Sequence, residues 1–87
     1  MSKFEVQFLT RNRCPLCDAA RPLVNAEVAR YGGTVQELDV DASDSLRERY
    51  GSRIPVVIYE DERVIAEGRI EKRALRRGLR GLRRSGG

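Results

Sequence analysis

Apolar and polar residues alternate through Phe4-Glu5-Val6-Gln7-Phe8, and Cys14-Pro15-Leu16-Cys17 follows after one short polar loop. This juxtaposition constrains the fold more than any other feature of the chain. Alternation at period two predicts a half-buried strand over Phe4–Leu9, with Phe4, Val6 and Phe8 on one face. Thr10-Arg11-Asn12-Arg13 then reads as a loop. Pro15 suits the first position of a helix, where its missing N–H would have had no partner, so Cys14 falls at the N-cap. Leu16, Ala20, Leu23, Val24, Val28 and Tyr31 continue at helical spacing, and Gly32-Gly33 ends the helix. The only two cysteines of the chain thus stand where a strand gives way to a helix. A disulfide across two intervening residues closes a tiny loop and removes little entropy from the unfolded chain. Stability is a poor reason for the pair, and thiol redox chemistry is a better one.

Beyond that helix, Thr34–Val40 reads as a second strand carrying Val35, Leu38 and Val40. Asp41-Ala42-Ser43-Asp44 offers capping side chains for a short helix over Asp44–Tyr50, closed by Gly51. Ile54-Pro55-Val56-Val57-Ile58-Tyr59 is a continuous apolar run, as expected of a central strand buried on both faces. Glu60-Asp61-Glu62 predicts a hairpin turn, and Arg63–Glu67 its antiparallel partner strand. A last helix is expected over about residues 70–82, with Ile70, Ala74, Leu75, Leu79 and Leu82 on one side, before a frayed tail over residues 83–87. The predicted order is β-α-β-α-β-β-α in a single domain spanning residues 1–87, with the first β-α-β a right-handed crossover. The fold class is α/β.

Composition narrows the chemistry. The 87 residues are 40% hydrophobic and 34% charged, as in ordinary globular domains, and no apolar run approaches the roughly 20 residues that span a membrane. Histidine is absent, which removes Ser-His-Asp triads, Cys-His protease pairs and histidine-bearing zinc sites. Two thiolates supply half of a tetrahedral zinc shell. A metal site would need carboxylates, a second subunit or an added thiol, so no metal or bound cofactor is expected. Met1-Ser2-Lys3-Phe4 enters the first strand pattern without a signal-peptide apolar region, and a cytoplasmic location is expected. The net charge of +4 is unevenly spread: residues 1–68 carry 9 Lys/Arg against 12 Asp/Glu, and residues 69–87 carry 8 against 1. The basic side chains fall mainly on the polar face of the last helix. No aromatic residue is interleaved with them, so nucleic acid is not an expected partner, nor is a membrane.

The element order, the Cys pair opening the first helix and the proline opening the third strand together resemble the thioredoxin fold in its glutaredoxin-sized form. More closely, Thr10-Arg11-Asn12-Arg13-Cys14-Pro15-Leu16-Cys17 is similar to the Thr-Arg-x-x-Cys-x-Leu-Cys pattern of small glutaredoxin-like proteins. Arg49-Tyr50-Gly51, Arg53-Ile54-Pro55-Val56 and Gly68-Arg69 extend the likeness over nearly the whole chain. The resemblance implies a four-stranded mixed sheet flanked by helices and a cis peptide bond between Ile54 and Pro55. It also implies that Pro55 packs beside the cysteines and leaves the Ile54 backbone to pair with an extended substrate. Arg11 stands where glutaredoxins carry a lysine that helps to bind glutathione. The chain departs from glutaredoxins in three places. Leu16 replaces an aromatic residue, Arg53 replaces a threonine, and Gly68-Arg69 replaces a Gly-Gly segment with a following acid.

These readings converge on a thiol–disulfide oxidoreductase serving cell redox homeostasis. Cys14 faces the positive end of the helix dipole, which favours a thiolate, and is the expected nucleophile. Cys17, one turn on and on the apolar side, is the expected resolving thiol. Arg11 and Arg13 flank the nucleophile and, with Ile54 and Pro55, are the candidate substrate-binding residues. A protein disulfide or a glutathione mixed disulfide is the expected substrate, with glutathione a candidate co-substrate and the reductant open. A monomer is expected. The competing reading is a non-catalytic redox-sensing or binding module that meets an anionic partner through the basic helix. A third is an iron–sulfur cluster shared between two chains.

Overall fold

A computed structural model describes residues 3–60 and 63–86, with side chains through residue 82. Strand β1 (Phe4–Thr10) occupies the middle of a four-stranded sheet ordered β2-β1-β3-β4. Strand β2 (Gly33–Asp39) lies parallel to it, in a register running from Phe4 opposite Gly33 to Thr10 opposite Asp39. On its other side β3 (Val56–Tyr59) runs antiparallel, with Leu9 opposite Val56 and Gln7 opposite Ile58. Strand β4 (Arg63–Glu67) completes the sheet as the antiparallel partner of β3, with a register irregularity at Val57/Ile58.

The alternation of β1 sorts the core into two layers. Phe4, Val6 and Phe8 point to the face covered by helices α1 (Pro15–Arg30) and α3 (Lys72–Gly86), where they meet Ala20, Val24, Val28, Leu75, Leu79 and Leu82. Leu9 points the other way, into a smaller cluster with Val40, Tyr50, Val56 and Ile58. A single 3-10 turn (Val40–Ala42) and the short helix α2 (Asp44–Tyr50) supply Val40 and Tyr50 to that layer. Ser43 caps α2, its hydroxyl accepting from the Leu46 N–H.

The elements follow the expected order, and the differences have local causes. Strand β3 starts at Val56 rather than Ile54, because Pro55 has no N–H to give to a ladder. The last helix starts at Lys72 rather than Ile70. Gly68 takes a left-handed φ of 67°, the chain bends at Gly68 and Arg69, and Ile70 packs its side chain against the larger core cluster before the helix begins. Ala74, expected on the apolar side of α3, is exposed. Gly78 lies against β4 instead: a Cβ there would come within 2.6 Å of Ile65 Cγ2 and 3.1 Å of the Ile65 carbonyl oxygen, so its absence sets how closely α3 approaches the sheet. The α3 backbone stays helical past Leu82 to Gly86. Gly87 of the expected tail, and Asp61 and Glu62 of the expected turn, lie outside the described residues. Among the described residues, no helix is long and apolar enough to cross a membrane.

A set of arginine–carboxylate pairs ties these layers together at the surface. Arg21 donates to both oxygens of Glu37 at 2.9 Å and to Asp18 at 3.0 Å, joining α1 to β2. Arg76 of α3 donates to the nearly buried Glu27 of α1 at 2.7 Å. Hydrogen bonds from these arginines hold the Glu37 and Glu27 carboxyls below the usual range, and Arg11 and Arg53 do the same for Asp41 and Glu67. A carboxyl whose pKa is lowered by folding stabilises the native state above its unfolded pKa, and that contribution disappears as pH falls through the folded value. The urea midpoint is therefore expected to drop between pH 7 and pH 3, with the loss beginning near pH 4.5, the ordinary glutamate value. An equal midpoint at both pH values would show that these pairs contribute nothing.

Candidate active site around the cysteine pair

Cys14 is the N-cap of α1, with extended backbone at φ −117° and ψ 98°. Its Sγ accepts the Cys17 N–H at 3.1 Å, and its carbonyl accepts the Asp18 N–H at 3.0 Å. One sulfur thus takes a first-turn amide that an N-cap hydroxyl or carboxylate would otherwise satisfy. Cys14 and Cys17 are joined as a disulfide, their Cα atoms 5.2 Å apart. The two sulfurs are not equivalent: Cys17 is 0% exposed and belongs to the buried side of α1, whereas Cys14 is half-buried. Leu16, expected to extend the apolar stripe of α1, instead stands 44% exposed between the cysteines.

The second half of the site comes from the segment leading into β3. The Ile54–Pro55 peptide bond is cis, as the resemblance implied. Pro55 is buried, and its carbonyl accepts the Gly68 N–H at 2.8 Å. Ile54 packs its side chain against the cluster around Leu9 and Tyr50, and among the described residues its backbone forms no backbone hydrogen bond. Because Leu9 pairs with Val56, Pro55 leaves β3 at the end of the sheet where β1 leads into the Cys14 loop.

The flanking arginines differ from one another. Arg11 is half-buried, gripping Asp41 at 2.7 and 2.8 Å through Nε and Nη2 and the Gly51 carbonyl at 3.1 Å through Nη1. Arg13 is exposed, with a left-handed φ of 57°, and among the described residues forms no ion pair. Arg53 pairs with Glu67, and its guanidinium lies 5.3 Å from the Tyr50 ring centroid. Thr10, the last residue of β1, donates to Glu37 at 2.9 Å.

Several of these partners are invisible to motif reading. Asp41 reads from sequence as a helix-capping side chain, yet it holds Arg11. The parallel register carries the signal that would have found it, since Thr10 faces Asp39 and the residues beyond the two strands therefore run on side by side. Glu37, on a strand facing Arg21 of α1, and Glu67, on a strand facing the loop residue Arg53, are legible only once the packing of the elements is in hand. Among the described residues, no three His, Cys, Asp or Glu side chains gather as metal ligands.

A helix N-terminus carrying Cys-x-x-Cys, a cis proline leading into β3 and a β2-β1-β3-β4 sheet between helical layers define the thioredoxin-like class of proteins. Residues 5–80 match the family model described as Glutaredoxin-like domain (DUF836), and the chain belongs to that family. No curated protein matches. Among solved structures, a structural-genomics target protein from X. campestris is similar, with 25% identity and a TM-score of 0.71 over 87% of this chain and 96% of that one. A mutant thioredoxin from Halobacterium salinarum has 21% identity and a TM-score of 0.70, over 93% of this chain and 75% of its own. A malarial protein has 16% identity and a TM-score of 0.63, over 88% and 93% respectively. The last two bear on the fold alone.

Proposed function

We propose that this domain is a dithiol–disulfide oxidoreductase in which Cys14 attacks and Cys17 resolves. The observation that carries the reading is the asymmetry of the pair: Cys14 is half-exposed at a helix N-terminus and Cys17 is sealed in the core one turn behind it. The N–H groups and dipole of α1 favour a thiolate at Cys14 in the reduced protein. That thiolate attacks one sulfur of a substrate disulfide, and the other sulfur leaves as a thiolate that takes up a proton. Cys17, losing its proton, then attacks the Cys14 sulfur of the mixed disulfide and expels the second substrate thiol. The substrate gains two electrons and two protons, and the domain is left with the Cys14–Cys17 disulfide, to be reduced by an external thiol.

An extended protein segment is the substrate class this site favours. Leu16 offers an exposed apolar contact beside the cysteines, and Ile54 offers backbone groups that, among the described residues, make no backbone hydrogen bond. Arg11, the residue aligned with a glutathione-binding lysine, already has both Asp41 oxygens on its guanidinium.

Reduction of insulin disulfides by a dithiol-regenerated domain is the direct test. The wild type is expected to turn over, and Cys14→Ser to lose turnover to the level of the reductant alone. An inactive wild type that binds a partner only in one redox state would instead favour a sensor module. The exposed Lys72, Arg73, Arg77 and Arg80 of α3 would be the first surface to examine in that case.

A further inference from the structure

We propose that Arg11 is a positioning residue, whose guanidinium sets the spacing between the Cys14 loop and the Ile54–Pro55 segment. The proposal rests on the exchange reading above and adds a part to the same site. Arg11 is the first residue beyond β1 and lies three residues before Cys14. Its Nη1 reaches the carbonyl of Gly51, which lies three residues before Ile54. Among the described residues, this is the one side-chain hydrogen bond joining residues 11–14 to residues 51–55.

Both ends of the link are themselves fixed. The Asp41 carboxylate takes the Nε and Nη2 fork and so leaves Nη1 aimed at Gly51. Asp41 is held in turn by its own N–H, which donates to the Asp39 side chain at 2.9 Å. Gly51 caps α2, its N–H donating to the Arg47 carbonyl at 2.8 Å, so its carbonyl is one of the helix-end oxygens left without a helical partner. A guanidinium suits this place because its planar donors can bind a carboxylate bidentately and still reach a third acceptor. An ammonium is a point charge and cannot hold that geometry. With its charge matched by Asp41, Arg11 acts on Cys14 through placement of the loop.

Direct binding of a substrate carboxylate by Arg11 would give the opposite result in one variant, which makes the proposal testable. Arg11→Lys keeps the charge and loses the fork; Asp41→Asn keeps the arginine and loses its anchor. Under the proposal, kcat/KM for insulin falls about tenfold in each, as expected for a small misplacement of a reacting group. The double variant falls no further, because both changes remove the same link. The pH midpoint for alkylation of Cys14 stays within a few tenths of a unit in Arg11→Lys. An Asp41→Asn variant faster than wild type, or an Arg11→Lys variant equal to it, would overturn the assignment. Hydrogen exchange at the Arg53 amide, which donates to the Tyr50 carbonyl at 2.8 Å, reads the link without turnover: faster exchange in both single variants, with Val24 unchanged, is the expected result. Unaltered exchange at Arg53 overturns the proposal whatever the activity shows. A wild type that fails to reduce insulin overturns the exchange reading instead.

Discussion

Cys17→Ser is expected to capture one substrate sulfur per chain, the other sulfur of that disulfide leaving as a thiol, and to stop at the mixed disulfide on Cys14. Serine at this position retains the backbone N–H that donates to the Cys14 sulfur, so the N-cap of α1 and the placement of the attacking group are preserved. What disappears is the second sulfur, and with it the step that expels the product. Steady-state reduction of insulin should stop after the first stoichiometric event. Cys14→Ser should trap nothing, because the surviving Cys17 is 0% exposed and no substrate disulfide can reach it. Mass spectrometry of the two variants after exposure to a disulfide substrate checks both halves. An adduct on Cys17, or on neither residue, would contradict the assigned roles. The same variant supplies a means of identifying natural substrates, since each would remain attached to Cys14.

Leu79→Ala is expected to cost about 3 kcal/mol of folding stability, within the range of about 2–5 for truncating a fully buried leucine. Leu79 is 0% exposed and lies in the cluster of Phe4, Val6, Phe8, Val24, Val28 and Leu75, the layer that fastens α3 to α1 and the sheet. A domain of 87 residues has a total stability on the order of 4–13 kcal/mol, so the loss is a large fraction of the whole. At the urea dependence typical of small domains, the midpoint should move by roughly 1–3 M. Arg77→Ala, on the exposed side of the same helix, should change stability by less than about 0.5 kcal/mol. Equal effects from the two substitutions would mean that α3 does not close the core.

The pattern of what could be read from the residues follows the range of the interactions. The strand at Phe4–Phe8 and the helix after Pro15 rest on periods of two and 3.6, which a few neighbouring residues display in full. Cys14 at the N-cap follows from the same local logic, since proline has one favoured place in a helix. The cis bond at Ile54–Pro55 came through the family likeness, as nothing in local propensity separates it from a trans proline opening a strand. The residues that brace the site were not legible, because Arg11 and Asp41 are 30 positions apart and meet only through the parallel register of β1 and β2. Leu16 and Ala74 show the limit of spacing itself. Both fit an apolar helical stripe, yet one stands exposed beside the cysteines and the other faces outward while Gly78 meets the sheet. A hydrophobic period cannot tell which edge of a stripe a neighbouring element covers.

The position of β1 between β2 and β3 has a consequence for the order in which a growing chain becomes competent. Its parallel partner is already present when residue 39 has been made, but its antiparallel edge is unpaired until Val56–Ile58 emerge. The cysteines, three positions apart, can meet in the nascent chain long before that. During synthesis there is thus an interval in which the thiol pair can be oxidised or reduced by small molecules, while the segment proposed to receive a substrate strand does not yet exist. Completion of the sheet from the second half of the chain ends that interval and brings the Ile54–Pro55 segment to the same end of the sheet as the cysteines.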